Sequence, residues 1–233
     1  MRLVAGIWGF KTLAVGVELG LFTRLAGGRT MTVEQAAAEF GLADRPADLL
    51  LAASASLGLL EKAGDGYRNS ALAEQFLVEG HPYYFGAQVR YSDLRTYLPW
   101  HRIGGALRTD RPLTWDPQAQ QSMFDTTDPE MLAQFWDAMY STSSFTAGAL
   151  AEAYDFSAHH RLLDVGGGAG AFRSSSAAAC PGCGRPSWTC RTSANGPRSG
   201  SRLPALPGGS ARCPATSSPT RRCRAGTTSS CSA

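Results

Sequence analysis

The stretch LLDVGGGAGAF at residues 162–172 constrains the fold of this chain more than any other segment. Its apolar start predicts a short buried strand, with Asp164 near the carboxyl end. A glycine-rich turn follows the strand at once. A strand that runs directly into such a turn is typical of the opening of a nucleotide-binding α/β fold, in which the turn approaches the ligand.

Three glycines of this turn, Gly166, Gly168 and Gly170, form a G-x-G-x-G pattern. Glycine permits positive φ angles and lets the backbone lie against a ligand with no Cβ atom in the way. The pattern alone fits NAD, FAD or S-adenosylmethionine. The last is favoured because Asp164 can attract its cationic amino group. In addition, a dinucleotide fold starts near its glycines and spaces them G-x-G-x-x-G, whereas here a long, mostly helical segment comes first.

The residues after Phe172 differ in composition from all that precede them. Residues 1–172 hold 19 acidic and 13 basic residues and no cysteine, whereas the last 61 hold six cysteines, nine arginines and thirteen serines. The net charge of +3 is therefore a body at −6 and a tail at +9. Because the tail has no Val, Ile or Phe, we expect residues 173–233 to be disordered. No helix is expected after the glycine turn.

Two functional alternatives for the tail stay open. Cys180 and Cys183 form a CxxC motif, followed by Cys190 and Cys213, which is part of a zinc-binding pattern. The second CxxC pair is missing and the tail has no histidine, so we expect no metal. The arginines could also form a basic arm for nucleic acid.

A shifted reading frame explains more of the tail than either alternative. When the frame moves back by one base, the codons of Trp188 and Thr189 (TGG and ACN) read GAC, aspartate, at their junction. The junctions on either side read NTG, which encodes Leu, Val or Met. The restored stretch is a buried strand with an acid about 20 residues past the glycines, where nucleotide-binding folds place the carboxylate that binds the ribose hydroxyls. We therefore interpret residues 173–233 as out of frame.

The residues from Thr32 onward predict a winged helix. A capping box of Thr32 and Gln35 begins one helix and Gly41 ends it. Pro46 suits the first turn of the next helix, and two strands flank a turn at residues 64–66. Helix, turn, helix and small hairpin make a winged helix. A single amphipathic helix is expected over the first 30 residues.

Winged helices can bind DNA, but this one is poorly suited to it. Its second helix carries leucines at 49–51 and one early Arg45, and the body is acidic, which favours protein contacts. No apolar run reaches the length of a membrane span, and Lys11 and Glu18 interrupt the N-terminal one, which is therefore not a signal peptide. We expect a cytoplasmic protein that binds neither nucleic acid nor membrane.

Residues 71–150 predict further helices, with breaks near residues 80–82 and 111–117. The last helix carries an aromatic and methionine stripe. Its members include Phe135, Trp136, Met139 and Tyr140. Such a stripe is compatible with ordinary core packing or with a wall for a flat ligand.

Four segments together resemble a known family. GVELGLFTRLAGG, MTVEQAAAEFGL, LAASASLGLLEKAGDGYRNSALAEQFL and AYDFSAHHRLLDVGGGAGAF are similar to S-adenosylmethionine-dependent O-methyltransferases of the plant caffeate and hydroxyindole type. Bacterial members of that family act in aromatic natural-product pathways. The resemblance covers nearly all of residues 5–172. With GC-ending codons, residues 186–193 restore to VVDLPDV in the shifted frame, and this stretch resembles the second cofactor motif of the family.

The resemblance implies a mainly α-helical ordered part with an N-terminal winged-helix dimerisation domain and the start of a Rossmann-like α/β methyltransferase domain. The expected divisions are residues 1–100 for dimerisation, 101–155 for a helical substrate-lining region, 156–172 for the first strand and glycine turn, and 173–233 for the tail. A homodimer and a small aromatic substrate are implied. The alternative is a non-catalytic dimerisation module or a ligand-sensing regulator built on the same winged helix.

The resemblance also assigns site residues. S-adenosylmethionine would contact Asp164 and the three glycines of the turn. The substrate would contact Phe135, Trp136, Met139, Tyr140 and Ser143. The general base is a histidine that family members carry after their fourth strand, beyond the last residue here. His159 and His160 are interpreted as surface loop residues, and His81 and His101 as structural, so the chain as given is expected to be inactive.

Overall fold

Helices dominate the part of the chain that the computed structural model describes, which comprises residues 2–119, 128–156, 163–165, 167–178 and 189–191. The helices are α1 (Arg2–Glu18), α2 (Leu21–Arg24), α3 (Val33–Phe40), α4 (Asp44–Ser56), α5 (Ala71–Phe76), α6 (Gly86–Tyr91), α7 (Tyr97–Trp100), α8 (Ile103–Thr109), α9 (Pro129–Ala153) and α10 (Ala171–Ala178). The strands are β1 (Leu60–Ala63), β2 (Gly66–Asn69), β3 (Leu163–Val165) and β4 (Thr189–Arg191). A 3₁₀ turn covers Ala26–Gly28, and a π-helical turn covers Ser92–Thr96.

The prediction of one helix over the first 30 residues is wrong. The chain leaves the helix at Gly20, whose φ of 69° lies in the left-handed region that glycine adopts without strain. The bend lets α2 return beneath α1, so that Leu21 and Phe22 are fully buried. Gly16 allows this approach, because a Cβ atom there would lie 2.9 Å from Cε2 of Phe22.

The predicted winged helix is confirmed. Both bonds of the capping box form: the Thr32 amide donates to Oε1 of Gln35 over 2.9 Å, and the Gln35 amide donates to Oγ1 of Thr32 over 3.3 Å. Gly41 ends α3 with a φ of 63°. β1 and β2 form an antiparallel hairpin, and Met31 pairs with Tyr67 to extend it.

One hydrophobic core lies beneath this hairpin and the four N-terminal helices. Five of its largest side chains are less than 2% exposed: Leu21, Phe22, Leu25, Met31 and Leu51. Its polar edge is Asn69, whose Nδ2 donates to the carbonyl of Phe22 over 2.8 Å and to Oε2 of Glu74 over 2.7 Å. These bonds satisfy donors that burial would otherwise leave without water.

Short helices connect the winged helix to the long helix α9. The predicted breaks are confirmed, one between α5 and α6 and one after α8, and a further turn separates α7 from α8 at residues 101–102. Asp128 caps the N-terminus of α9, since its Oδ1 accepts a bond of 3.0 Å from the Met131 amide. Pro129 is the first helical residue. α9 packs against α6 on one side and α10 on another.

The C-terminal described residues form a strand–helix–strand unit. β3 and β4 are parallel, with Asp164 opposite Cys190, and α10 lies between them in sequence. The expectation that no helix follows the glycine turn is therefore wrong. Of the tail at 173–233, residues 173–178 belong to α10 and 189–191 to β4, and the remainder lies outside the described residues.

No single helix among the described residues is long and apolar enough to cross a membrane, although the bent pair Leu3–Glu18 and Leu21–Gly28 meets the requirement of length and composition together. The first half of α1 exposes large apolar side chains. These are Leu3, Val4, Ile7 and Trp8, each more than half exposed.

Candidate cofactor and substrate site

Asp164 lies over the backbone of the glycine turn. A Cβ atom added to Gly167 would lie 2.5 Å from Oδ2 of Asp164 and 2.6 Å from its Cγ, distances that real Cβ atoms do not show. With any other residue at 167, the Asp164 carboxylate would have to move from this place. Sequence reasoning missed Gly167, since the G-x-G-x-G pattern singles out its neighbours and only the unbroken run of three glycines could have indicated it.

The turn itself uses two left-handed glycines. Gly168 has a φ of 47° and Gly170 a φ of 80°, and both conformations are strained for residues with a Cβ atom. The Gly170 amide donates to the carbonyl of Gly167 over 2.7 Å and closes the turn. α10 begins at the next residue, Ala171. In its first turn, Ser174 donates from both its amide and its hydroxyl to the Gly170 carbonyl. The third predicted glycine, Gly166, lies outside the described residues.

The arrangement fits the predicted cofactor. A carboxylate and a glycine backbone stand together at the carboxyl end of a parallel strand, which is where open α/β sheets bind their ligands. β4 begins at Thr189, at the point where the shifted frame predicts a second strand ending in aspartate. As given, its sequence is Thr-Cys-Arg, so β4 brings no carboxylate to this edge.

The predicted substrate-lining residues all lie on α9. Successive residues of an α-helix are 100° apart, so Trp136, Met139, Tyr140 and Ser143 share one face. Phe135 lies at the edge of that face, with its ring centroid 5.1 Å from Trp136 and 5.8 Å from Tyr91 on α6, both edge to face. Burial raises the pKa of Tyr140 above its ordinary value.

A second cluster of α9 side chains, which the sequence did not indicate, faces the winged helix. It lines an apolar groove of about 380 Å³. The lining residues are Leu13, Leu59, Leu72, Phe76, Leu77, Tyr83, Phe85, Ser141, Thr142 and Phe145. Phe145 is the centre of an aromatic cluster, 5.4 Å from Tyr83 and 5.9 Å from Phe76 between ring centroids. The predicted wall and this groove therefore lie on different faces of α9.

The two histidines that the structure describes, His81 and His101, are both exposed, and each lies in a turn between helices. The backbone of His81 bonds to Val78 and Tyr84. His159 and His160, predicted as loop residues, lie outside the described residues.

A winged helix, a long helix and then a strand–acid–glycine unit define a class of protein: a methyltransferase domain that is preceded by its own dimerisation domain. Comparison with known families agrees. The O-methyltransferase dimerisation domain matches residues 1–79, and the O-methyltransferase domain matches residues 100–187. Together the two matches cover more than two thirds of the chain. The chain belongs to this O-methyltransferase family.

Individual relatives come from bacteria and animals. The 3-hydroxy-5-methyl-1-naphthoate 3-O-methyltransferase of Streptomyces sahachiroi is 41% identical over 170 residues, which are 72% of this chain and 48% of that enzyme. The crystal structure of human N-acetylserotonin methyltransferase with S-adenosylmethionine is 25% identical with a TM-score of 0.66, covering 78% of this chain and 55% of that one. An O-methyltransferase family protein from Burkholderia thailandensis is 30% identical with a TM-score of 0.58, covering 77% and 52%.

These coverages show that the chain spans about half the length of the curated relatives it matches. The matched half contains the dimerisation domain and the first part of the methyltransferase domain. Because a methyltransferase domain matches residues 100–187, the comparisons do not favour the alternative of a dimerisation module alone.

Proposed function

We propose that this chain is the N-terminal half of an S-adenosylmethionine-dependent O-methyltransferase that methylates a phenolic hydroxyl of a small aromatic natural product. The observation that carries the proposal is the placement of Asp164 against Gly167 at the end of β3. A side chain at residue 167 would displace the Asp164 carboxylate. Both residues lie within the match to the O-methyltransferase domain.

S-adenosylmethionine, when bound, supplies an electrophilic methyl group on a positively charged sulfur. In the proposed site, the Asp164 carboxylate attracts the cationic amino group of this cofactor, and the backbone of Gly166, Gly168 and Gly170 lies against it. Gly167 keeps the carboxylate in place. The acceptor hydroxyl must lose its proton to a general base, for which a histidine is suited because its pKa lies near the working pH.

The substrate side of the site is proposed at Phe135, Trp136, Met139, Tyr140 and Ser143. Edge-to-face aromatic pairs and a polarisable thioether suit a flat aromatic ring. The Streptomyces sahachiroi relative acts on a hydroxynaphthoate by name, and a bicyclic phenol is therefore a reasonable first probe. We also propose a cytoplasmic homodimer that associates through residues 1–100, with the exposed apolar half of α1 in the interface.

We propose further that the chain as given does not methylate, because the tail is out of frame. In the family the second strand carries the acid that holds the ribose, and here β4 has none. Without that contact, the chain should bind S-adenosylmethionine more weakly and methylate more slowly.

The test uses two proteins, the 233-residue chain and a version in which the frame is restored near codon 172. Calorimetry at tens of micromolar should detect S-adenosylmethionine binding only in the restored protein, and methyl transfer to a hydroxynaphthoate should follow. Asp164→Asn in the restored protein is the matched variant, and it should weaken cofactor binding. Turnover by the unrestored chain, or no binding by the restored one, would contradict the proposal.

A further inference from the structure

The segment at residues 91–97, here called the connector, joins two parts of the molecule that the family descriptions treat separately. It contains the π-helical turn Ser92–Thr96 and lies between the dimerisation match, which ends at residue 79, and the methyltransferase match, which begins at residue 100. π-turns are rare and occur frequently at functional sites. The residues of the connector contact two different helices, α1 and α9.

Two residues of the connector hold α1. Oδ1 of Asp93 accepts a bond of 2.6 Å from Nζ of Lys11, and the Asp93 side chain is only 19% exposed. Four residues on, the ring of Tyr97 stacks on Phe10 at 5.5 Å between centroids and lies 5.3 Å from the same Lys11 ammonium. Ion pair, cation–π contact and ring stacking together fix the connector to the dimerisation helix.

Two other residues, also four apart, hold α9. The ring of Tyr91 meets Phe135 edge to face at 5.8 Å. Nε of Arg95 donates to Oε1 of Gln134 over 3.0 Å, and its Nη2 donates to Oδ2 of Asp128 over 3.3 Å. Asp128 is the residue that begins α9, since its other carboxylate oxygen accepts from the Met131 amide. Arg95 therefore bonds to both the start and the second turn of α9.

We propose that Arg95 is a positioning residue for the proposed substrate wall, and that the connector couples this wall to the dimerisation helix α1. Both parts of this statement rest on the proposed function, because they assume that Phe135 faces substrate. Side chains two apart on a helical turn point in nearly opposite directions. One turn can therefore hold α1 through Asp93 and α9 through Arg95, and a shift of α1 is transmitted to the start of α9.

The test is hydrogen exchange of the full chain, read by mass spectrometry for the residues of each helix. Arg95→Met keeps the length of the side chain but removes its charge and its donors. Because the Arg95–Asp128 pair is partly exposed and such pairs contribute less than buried ones, exchange in residues 129–139 should rise by about two- to fivefold, whereas exchange in α4 should not change. Arg95→Lys, which retains the charge opposite Asp128, should restore part of the protection.

Two further variants separate positioning from a general loss of stability. Arg108→Met is the matched control, since Arg108 is exposed and bonds only to the Gly104 carbonyl of its own helix among the contacts described, and it should leave α9 unchanged. Asp93→Asn should raise exchange at residues 129–139 by a smaller factor than Arg95→Met. Unchanged exchange of α9 in Asp93→Asn would overturn the coupling to α1.

A spectroscopic measurement completes the test. The nuclear Overhauser contact between the rings of Tyr91 and Phe135 should weaken in Arg95→Met and persist in Arg108→Met. If exchange rises equally in α4 and α9, or if this ring contact is unchanged, Arg95 is not a positioning residue. None of these readouts needs cofactor or methyl transfer, so this inference and the proposed function can fail separately.

Discussion

The winged helix at the start of the chain and the strand–turn–helix unit at its described C-terminal end face the same physical demands, and they meet them to different extents. Both must bury apolar surface and pair their backbone groups. The winged helix does this from its own residues, with a closed core and a hairpin extended by Met31. β3, by contrast, has three residues and a single neighbour, β4, within the described ranges.

The difference teaches that the two units depend on different parts of the sequence. The winged helix is assembled from its own part of the chain, because the buried residues of its core all lie between Ala14 and Val89. A parallel sheet is buried on both faces and needs strands supplied by later parts of the chain. If the later residues are out of frame, as proposed above, the first unit keeps its own contacts and the second lacks the strands that it needs.

The largest effect, a loss of folding stability, is expected from a substitution in the core of the first unit. Phe22→Ala should lower the free energy of unfolding by about 3–5 kcal/mol, because the side chain is fully buried and its removal leaves a cavity. Denaturant unfolding followed by circular dichroism measures this. Leu107→Ala, at a position 79% exposed, should change stability by less than about 0.5 kcal/mol. Equal losses for both variants would show that the winged helix does not dominate stability.

A substitution in the glycine turn of the second unit should lower the affinity for S-adenosylmethionine. Gly170→Ala forces a residue with a Cβ atom into a φ of 80°, which costs about 1–2 kcal/mol. In the protein with its frame restored, S-adenosylmethionine should then bind roughly tenfold more weakly, as titration calorimetry would show. Gly105→Ala, in open space on α8, is the matched glycine control and should leave the affinity unchanged. Undiminished affinity of Gly170→Ala would place the cofactor elsewhere.

A smaller loss of stability is expected from a substitution at the start of α3. Thr32→Ala removes the side-chain oxygen that accepts from the Gln35 amide and should cost about 1 kcal/mol. Thermal unfolding compares it with Ser56→Ala, whose hydroxyl bonds only within the last turn of α4 among the contacts described. A loss in Thr32→Ala no greater than in the control would mean that the capping box does not support the winged helix.

The smallest effect is a dependence on pH. Hydrogen bonds from the Asn69 side chain and then the Gly27 amide lower the pKa of Glu74 from 4.5. Because the folded-state pKa is the lower one, the stability that Glu74 contributes is complete above its unfolded pKa and is lost as the pH falls through the folded pKa. The stability of the intact chain should therefore decline more steeply below about pH 4.5 than that of Glu74→Gln. Parallel pH profiles would contradict this.

The sequence predicted those elements whose cause is local. The capping box at Thr32, the left-handed end at Gly41 and the hairpin turn at Gly64 each depend on a few adjacent residues, and all were confirmed. The break at Gly20 was missed because the apolar spacing continues across it, and only the packing of Phe22 reveals the bend.

The site was predicted less completely. The acid and the glycines were visible as a motif, yet the exclusion of a side chain at Gly167 depends on where Asp164 points. α10 was missed because three consecutive serines, at 174–176, can bond to nearby backbone groups in non-helical conformations and so weaken the helix signal. It forms where the glycine turn presents a free carbonyl, at Gly170, to the first turn of a helix.

The connector has a consequence for how such enzymes recombine during evolution. A crossover between paralogous genes that falls before Asp93 would pair Lys11 of one parent with residue 93 of the other. A crossover that falls after Arg95 would pair residue 95 of one parent with Gln134 and Asp128 of the other. A crossover between Asp93 and Arg95 would separate Phe10 from Tyr97 and Tyr91 from Phe135. No crossover within this joint therefore preserves all of these contacts unless both parents carry them. The boundary that divides the two domains in family descriptions is therefore a poor place to exchange them, and functional chimeras should inherit α1, the connector and the start of α9 together.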